Sequence, residues 1–213
     1  MVMDYERLEV FLSTLADDNG EYIEGLREKA LSDDVPIIRR TSERLIKFII
    51  NTYQPKSILE IGTAVGYSAI FMASISNAHI TTIEKYPPRI TEAKKNFEEC
   101  GYGERITFLT GDAIEILKEL DGSYDMIFMD AAKGQYQVFL EDSLRLLDKN
   151  GILVCDNVLQ EGDVLESRYG VKRRDRSIHS RMRDFLYDIT HDEKLVSTII
   201  PLGDGMSLTT YKK

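Results

Sequence analysis

Two hundred and thirteen residues, 43% hydrophobic and 30% charged, suit one well-filled domain that needs no disulfide support. This composition excludes intrinsic disorder, collagen-like repeats and disulfide scaffolds. The net charge of -9 argues against a protein that coats nucleic acid nonspecifically. Yet the segment RYGVKRRDRSIHSRMR, Arg168 to Arg183, holds seven basic residues against the single acid Asp175, a local +6 that leaves -15 for the remainder. No apolar run nears the ~18 residues of a membrane span, and MVMDYERLEVFL lacks the marks of a signal peptide, so a cytoplasmic location is expected. Cys100 and Cys155 lack metal-type spacing and read as reduced thiols, and His79, His179 and His191 lie too far apart in sequence to suggest a histidine-rich metal centre.

In chain order, YERLEVFLSTL, EYIEGLREKAL and SERLIKFIINTY predict amphipathic helices, the third with Leu45, Ile49 and Tyr53 on one face. They are expected to form a helical lid, residues 1–55, on a core of residues 56–213, within one domain spanning 1–213. From Ser57 onward the apolar runs SILEI, HITTIE, RITFLTG, YDMIFMDA and GILVCDNV predict strands covered on both faces. Between them YSAIFMASIS, PPRITEAKKNFEEC, AIEILKEL and GQYQVFLEDSLRLL predict helices, the second opening on Pro87 and Pro88. This alternation implies an α/β, doubly wound, mostly parallel sheet whose ligands belong at the carboxyl ends of the strands. KLVSTIIPL and MSLTTYK, separated by Gly203, Asp204 and Gly205, break the pattern and predict an antiparallel C-terminal hairpin.

Three strand ends point to an adenosine-type ligand. The first runs Leu59-Glu60-Ile61-Gly62 and on through Gly66 into a helix near Tyr67, where glycines let the backbone approach a ligand and a helix start offers free N–H groups. A tight strand-to-helix turn explains this loop equally well, and Gly62-x-x-x-Gly66 is not the full dinucleotide pattern. The second strand ends at Glu84, 22 residues after Gly62, where a carboxylate can accept from both ribose hydroxyls, or else simply be solvated or pair with Lys85. After the third, Gly111-Asp112-Ala113 offers a helix N-cap, an adenine edge, or both.

The fourth and fifth strands end Asp130-Ala131-Ala132-Lys133 and Cys155-Asp156-Asn157. Adjacent strands would aim Asp130, Asp156 and Asn157 at one spot, a hard oxygen set suited to Mg²⁺ and poorly suited to zinc. Taken separately each is more simply a polar strand end or cap. Together, two like charges need a cation or Lys133 to offset their repulsion.

The motifs LEIGTAVGYSA, IEK, GDA, MDAAK and CDN, in this order, resemble the cation-dependent class I O-methyltransferases that include the catechol and caffeoyl-CoA enzymes, from about Val35 to the final hairpin. The resemblance implies a seven-stranded sheet with a reversed last strand, S-adenosylmethionine and Mg²⁺ (or Mn²⁺ or Ca²⁺) as cofactors, and a homodimer. It implies that Glu60 and Gly62 line the methionine part of the cofactor, Tyr67 and Ser68 its carboxylate, Glu84 the ribose, and Gly111, Asp112 and Ala113 the adenine. Asp130, Asp156 and Asn157 then match the metal ligands, Asp130 also lies near the cofactor's amino group, and Lys133 matches the general base. Ile38, in VPIIRR, falls where the family's N-terminal lid touches the cofactor. The chain has no tryptophan, and aromatic gatekeepers for a flat catechol are not evident.

VPIIRR and the basic stretch after CDN also resemble the bacterial branch that methylates 5-hydroxyuridine at the tRNA wobble position. On that reading Arg39, Arg40, Lys172, Arg173, Arg174 and Arg176 contact tRNA phosphates. A charge run is usually just a solvated helix face, but the contrast with the acidic remainder favours the phosphate reading here. A small-molecule acceptor, a catechol or an acyl-CoA, is the competing expectation, and a catalytically silent RNA-binding protein on the same fold is disfavoured because every metal and cofactor position is retained. A nicotinamide dehydrogenase would leave the MDAAK and CDN strand ends unexplained.

Overall fold

The computed structural model describes residues 4–213. Three helices, α1 (Tyr5–Thr14), α2 (Glu21–Ser32) and α3 (Arg40–Tyr53), precede an alternation of strand and helix. It runs β1 (Ser57–Ile61), α4 (Tyr67–Ser74), β2 (His79–Glu84), α5 (Pro87–Glu99), β3 (Ile106–Thr110), α6 (Ala113–Glu119), β4 (Tyr124–Met129), α7 (Tyr136–Leu146) and β5 (Leu147–Cys155). Helix α8 (Arg176–His191) then leads to β6 (Leu195–Ile200) and β7 (Met206–Tyr211). The seven strands lie in the order β3-β2-β1-β4-β5-β7-β6, with β7 antiparallel to both neighbours and the remaining pairs parallel.

The central strands are mostly apolar because both faces are covered. Side chains alternate across a strand, so Ile58, Met126, Phe128, Ile152 and Val154 enter a core with α2, α3, α4 and α5. Leu59, Ile61, Ile127, Met129 and Leu153 enter another with α6, α7 and α8. The direction in which successive strands are added reverses between β1 and β4, the switch point where an open α/β sheet leaves a crevice.

The N-terminal helices are only partly a lid. Ile23, Leu26 and Ala30 of α2 and Ile46, Ile49 and Ile50 of α3 are buried in the first core, whereas α1 buries nothing. The inward face of α3 is therefore turned from the Leu45, Ile49, Tyr53 stripe: Leu45 is only half-buried and Tyr53 is exposed. The reason is tertiary, since α3 lies against the sheet and also has to bury Glu43, one turn before Ile46 and two before Ile50. Among the described residues, no helix is long and apolar enough to cross a membrane. Cys100 and Cys155 are free and buried.

Candidate active site

A cavity of about 460 Å³ opens at the carboxyl ends of β1, β2, β3, β4 and β5. Its walls include Ile38, Gly62, Tyr67, Ser68, Glu84, Gly111, Asp112, Ala113, Asp130, Lys133, Asp156 and Asn157, so almost every residue expected at the site converges there. Pro36 and Ile37 complete the lid side.

On the β1–β3 half, backbone geometry does the positioning. Gly62 has φ 104°, and a side chain there would place its Cβ 2.2 Å from the Asp130 carbonyl oxygen, so only glycine lets the β1 loop close against the end of β4. Glu84 accepts from the amides of Ala64 (2.9 Å), Lys85 (2.9 Å) and Tyr86 (2.8 Å), which fix its carboxylate at the cavity edge. Lys85 pairs instead with Asp112 at 3.2 Å, while the other Asp112 oxygen caps α6 through the Ile114 amide at 3.0 Å. Asp112 thus serves as helix cap and cavity wall together; the capping amide and Lys85 hold its carboxyl below the usual range.

Glu60 departs from expectation. It does not line the cavity but lies wholly buried behind the loop, hydrogen-bonded by Thr82, with Oε1 unpartnered. Strand alternation explains this: Glu60 points to the same face as Ile58, toward α4 and Thr82. Burial pushes its carboxyl up to about 8, against the lowering effect of the Ser68 and Thr82 hydroxyls.

On the β4–β5 half, the strand ends are tied by Asp130 N–H to Ile61 O and Asp156 N–H to Met129 O, both 3.0 Å. The buried Tyr136 hydroxyl donates to the carbonyls of Asp156 (2.8 Å) and Met129 (3.3 Å). Asn157 takes a left-handed φ of 57° and donates its N–H to Asp156 Oδ1 at 2.8 Å. Burial pushes the Asp130 carboxyl up, against the lowering effect of Lys133; burial and then Asp130 push Asp156 up. A half-buried and a buried carboxylate, both driven toward their neutral forms, and an amide at the cavity wall fit a hard divalent cation, whose charge would reverse that trend. Among the described residues there is no cluster of three or more His, Cys, Asp or Glu arranged for a metal, so any such site rests on this mixed set.

Asp204 escaped notice in the sequence. It sits in the β6–β7 turn, is almost wholly buried, accepts from Lys133 Nζ at 2.9 Å and also from the Glu161 amide. Because β7 runs antiparallel to β5, that turn falls at the same edge as the carboxyl ends of the parallel strands. The predicted reversal of the last strands carried this signal. A second unread network braces the cofactor side: Glu43 accepts from the Tyr67 hydroxyl (2.7 Å) and from Arg27, and Arg27 also reaches the Ile38 carbonyl (3.2 Å). Burial, then Glu43, push the Tyr67 hydroxyl above its ordinary range.

The proposed phosphate contacts divide. Lys172, Arg173 and Arg174 are exposed, Arg39 is exposed at the start of α3, and Arg176 is half-buried. Arg40 is a correction: its guanidinium pairs with Glu24 and Glu43, which raise its already high pKa, Glu24 foremost, and leave it turned into the protein.

Residues 13–212 match the O-methyltransferase family. A catechol O-methyltransferase of Niastella koreensis is 36% identical over 129 residues, a stretch that spans 58% of each chain. A Staphylococcus aureus structure described as a caffeoyl-CoA O-methyltransferase superposes with TM-score 0.89 at 34% identity, over 96% of this chain and 99% of that one. The SAH-bound methyltransferase PaMTH1 of Podospora anserina gives TM-score 0.86 at 25% identity, over 100% and 99%. With a family match across nearly its whole length and a cofactor-sized cleft at the switch point, the chain belongs to the O-methyltransferase family and is an S-adenosylmethionine-dependent O-methyltransferase.

Proposed function

We propose that the acceptor is the 5-hydroxyl of 5-hydroxyuridine at wobble position 34 of tRNA, giving 5-methoxyuridine, and that transfer needs Mg²⁺ or a similar divalent cation. One observation carries the acceptor choice. Arg168, Lys172, Arg173 and Arg174 are exposed in the segment that follows the Asn157 strand end, in a chain that is otherwise strongly acidic. A phosphate backbone is the natural partner of such a concentration of cations.

S-adenosylmethionine supplies an electrophilic methyl on a sulfonium, and a divalent cation held by Asp130, Asp156 and Asn157 would supply a Lewis acid that lowers the acceptor hydroxyl's pKa. The chain's own residues do the rest. Glu84 accepts from the ribose hydroxyls, Asp112 and the neighbouring Gly111 and Ala113 border the adenine, and Gly62, Tyr67 and Ser68 flank the methionine end. Ile38, with Pro36 and Ile37, covers the cofactor from the lid and excludes water. Lys133 stands where it can take the acceptor proton or stabilise the oxyanion, steered by Asp204. Holding oxygen and methyl in line accounts for much of the acceleration, since effective molarity contributes about 7–11 kcal/mol.

The second reading is a small catechol-type or acyl-CoA acceptor, favoured by the printed names of the Niastella and Staphylococcus relatives. Incubation with labelled S-adenosylmethionine, Mg²⁺ and either undermodified bulk tRNA or a catechol panel separates the two, and label in the catechols alone overturns the tRNA assignment. A homodimer in the cytoplasm completes the proposal. It would cover the apolar groove of about 350 Å³ between α3 and the β6–β7 edge, where Phe48 and Val196 are exposed, and light scattering at the mass of one chain would count against it.

A further inference from the structure

Within the basic segment one exposed side chain is aromatic. Tyr169 is 84% exposed, at the tip of the loop between β5 and α8, with Leu165 nearby in sequence at 76%. An exposed tyrosine alone is ordinary surface. Here the ring has a built support: the Arg176 guanidinium lies over it, 5.7 Å from the centroid, and Arg176 Nε donates to the Val171 carbonyl at 3.3 Å, so the guanidinium is tied to the backbone of the same loop. Val171 is buried and anchors the loop. A turn closes Ser167–Gly170 through Gly170 N–H to Ser167 O at 2.9 Å. From α8, the His179 ring nitrogen meets the Glu166 carbonyl at 3.1 Å and Arg183 donates to the Val164 carbonyl at 3.1 Å. The loop is therefore held on both sides of Tyr169, with one ring face on a cation and the other toward solvent. Arg168, Lys172, Arg173 and Arg174 flank it in sequence and are exposed, and Arg181, on the same helix as Arg176, reaches Gly134 beside Lys133.

We propose that Tyr169, backed by Arg176, is a stacking platform for an unpaired nucleobase of single-stranded RNA next to the methylated nucleotide. This rests on the tRNA reading above. Aromatic platforms flanked by cations hold single strands because every base has a π-face while the cations follow the phosphates. A guanidinium on the far face fixes the ring's orientation and contributes its own cation–π attraction. The division of labour makes stacking distinguishable from charge: a stacked base releases no counterions, so it adds affinity without adding salt dependence.

The probe is a synthetic anticodon stem-loop RNA with 2-aminopurine in the loop, titrated with the parent protein and with Tyr169→Phe, Tyr169→Ala and Lys172→Gln/Arg173→Gln. Tyr169 is exposed, so its substitution leaves the core packing intact, and an unaltered melting temperature and S-adenosylmethionine affinity check this. The expected result is that Tyr169→Ala weakens binding about five- to a hundredfold and loses 2-aminopurine quenching, while Tyr169→Phe stays within about twofold of the parent. The slope of log affinity against log salt stays the same for both Tyr169 variants and falls for the double charge variant. If Tyr169→Ala binds like the parent while the charge variant flattens the slope, the platform is wrong and the tRNA reading stands. If the parent does not bind the stem-loop at low salt, the tRNA reading fails and takes the platform with it. A Tyr169→Ala defect that Phe does not repair points to the hydroxyl and overturns stacking.

Discussion

Lys133 Nζ lies 2.9 Å from Asp204 Oδ2, a contact between the end of β4 and the turn of a hairpin 71 residues later. The same carboxylate accepts the Glu161 amide, so one buried side chain positions the candidate proton acceptor and secures the loop that follows Asn157. Asp204→Asn should lower kcat tenfold or more, because a hydrogen bond to a charged group contributes about 1.5–3 kcal/mol, while leaving S-adenosylmethionine affinity nearly unchanged. In a Lys133→Met background the same change should cost much less. Additive losses in that double-mutant cycle would show that Asp204 acts independently of Lys133.

Glu84→Ala should weaken S-adenosylmethionine by tenfold or more, since two ribose hydroxyls lose their acceptor. Calorimetry gives the answer directly, and an unchanged dissociation constant removes the ribose clamp. The variant also frees the amides of Ala64, Lys85 and Tyr86, so its melting temperature should drop as well.

Chelation by EDTA, Asp156→Ala and Asn157→Ala should each abolish methyl transfer while much cofactor binding survives. Asp130→Ala should impair both, because Asp130 lines the cavity and the family resemblance puts it beside the cofactor's amino group as well as among the cation ligands. Full turnover in EDTA would eliminate the cation from the reaction.

Replacing Lys172, Arg173, Arg174 and Arg176 together with Gln should flatten the salt slope of tRNA binding by roughly two to three units, at about 0.7–0.9 per phosphate contact. Methylation of a catechol by the same variant should be unaffected. A quadruple variant indistinguishable from the parent on tRNA at every salt concentration would leave the segment as a solvated surface.

Glu60 gives a prediction about pH and stability. Its carboxyl titrates near 8 in the folded chain against an ordinary value of 4.5, so between these values the folded state holds the extra proton. Stability contributed by this group is then fully present at low pH and is lost as pH rises toward about 8. The melting temperature of the cofactor-free protein should fall across that window, and Glu60→Gln should make the decline shallower. An identical profile for the variant would mean that Glu60 is ionised throughout.

Strands and their ends were legible because burial on both faces writes itself as uninterrupted apolar runs, and SILEI and HITTIE coincide with β1 and β2 residue for residue. Convergence of Glu84, Asp112, Asp130 and Asp156 followed from one rule, that ligands gather at carboxyl ends. What stayed hidden depended on partners distant in sequence. Arg40 reads as a free cation until Glu24 of α2 is placed beside it. Asp204 reads as a turn residue until the hairpin is laid against β5. Glu60 reads as a cavity residue from the family resemblance, until strand alternation sends it behind the loop toward Thr82. Leu45 and Tyr53 share a helical face, but which face meets the sheet is decided by Ile46 and Ile50 packing in the core.

The contact at Gly62 makes the two halves of the cleft genetically inseparable. With the Asp130 carbonyl 2.2 Å from where a Cβ would lie, any side chain there pushes β4's end outward and shifts Asp130 on the cavity wall that it shares with Gly62, Asp156 and Asn157. A lineage acquiring a new acceptor can rewrite the loop around Tyr169 freely, whereas the first step in losing the enzyme altogether needs only one methyl group at position 62.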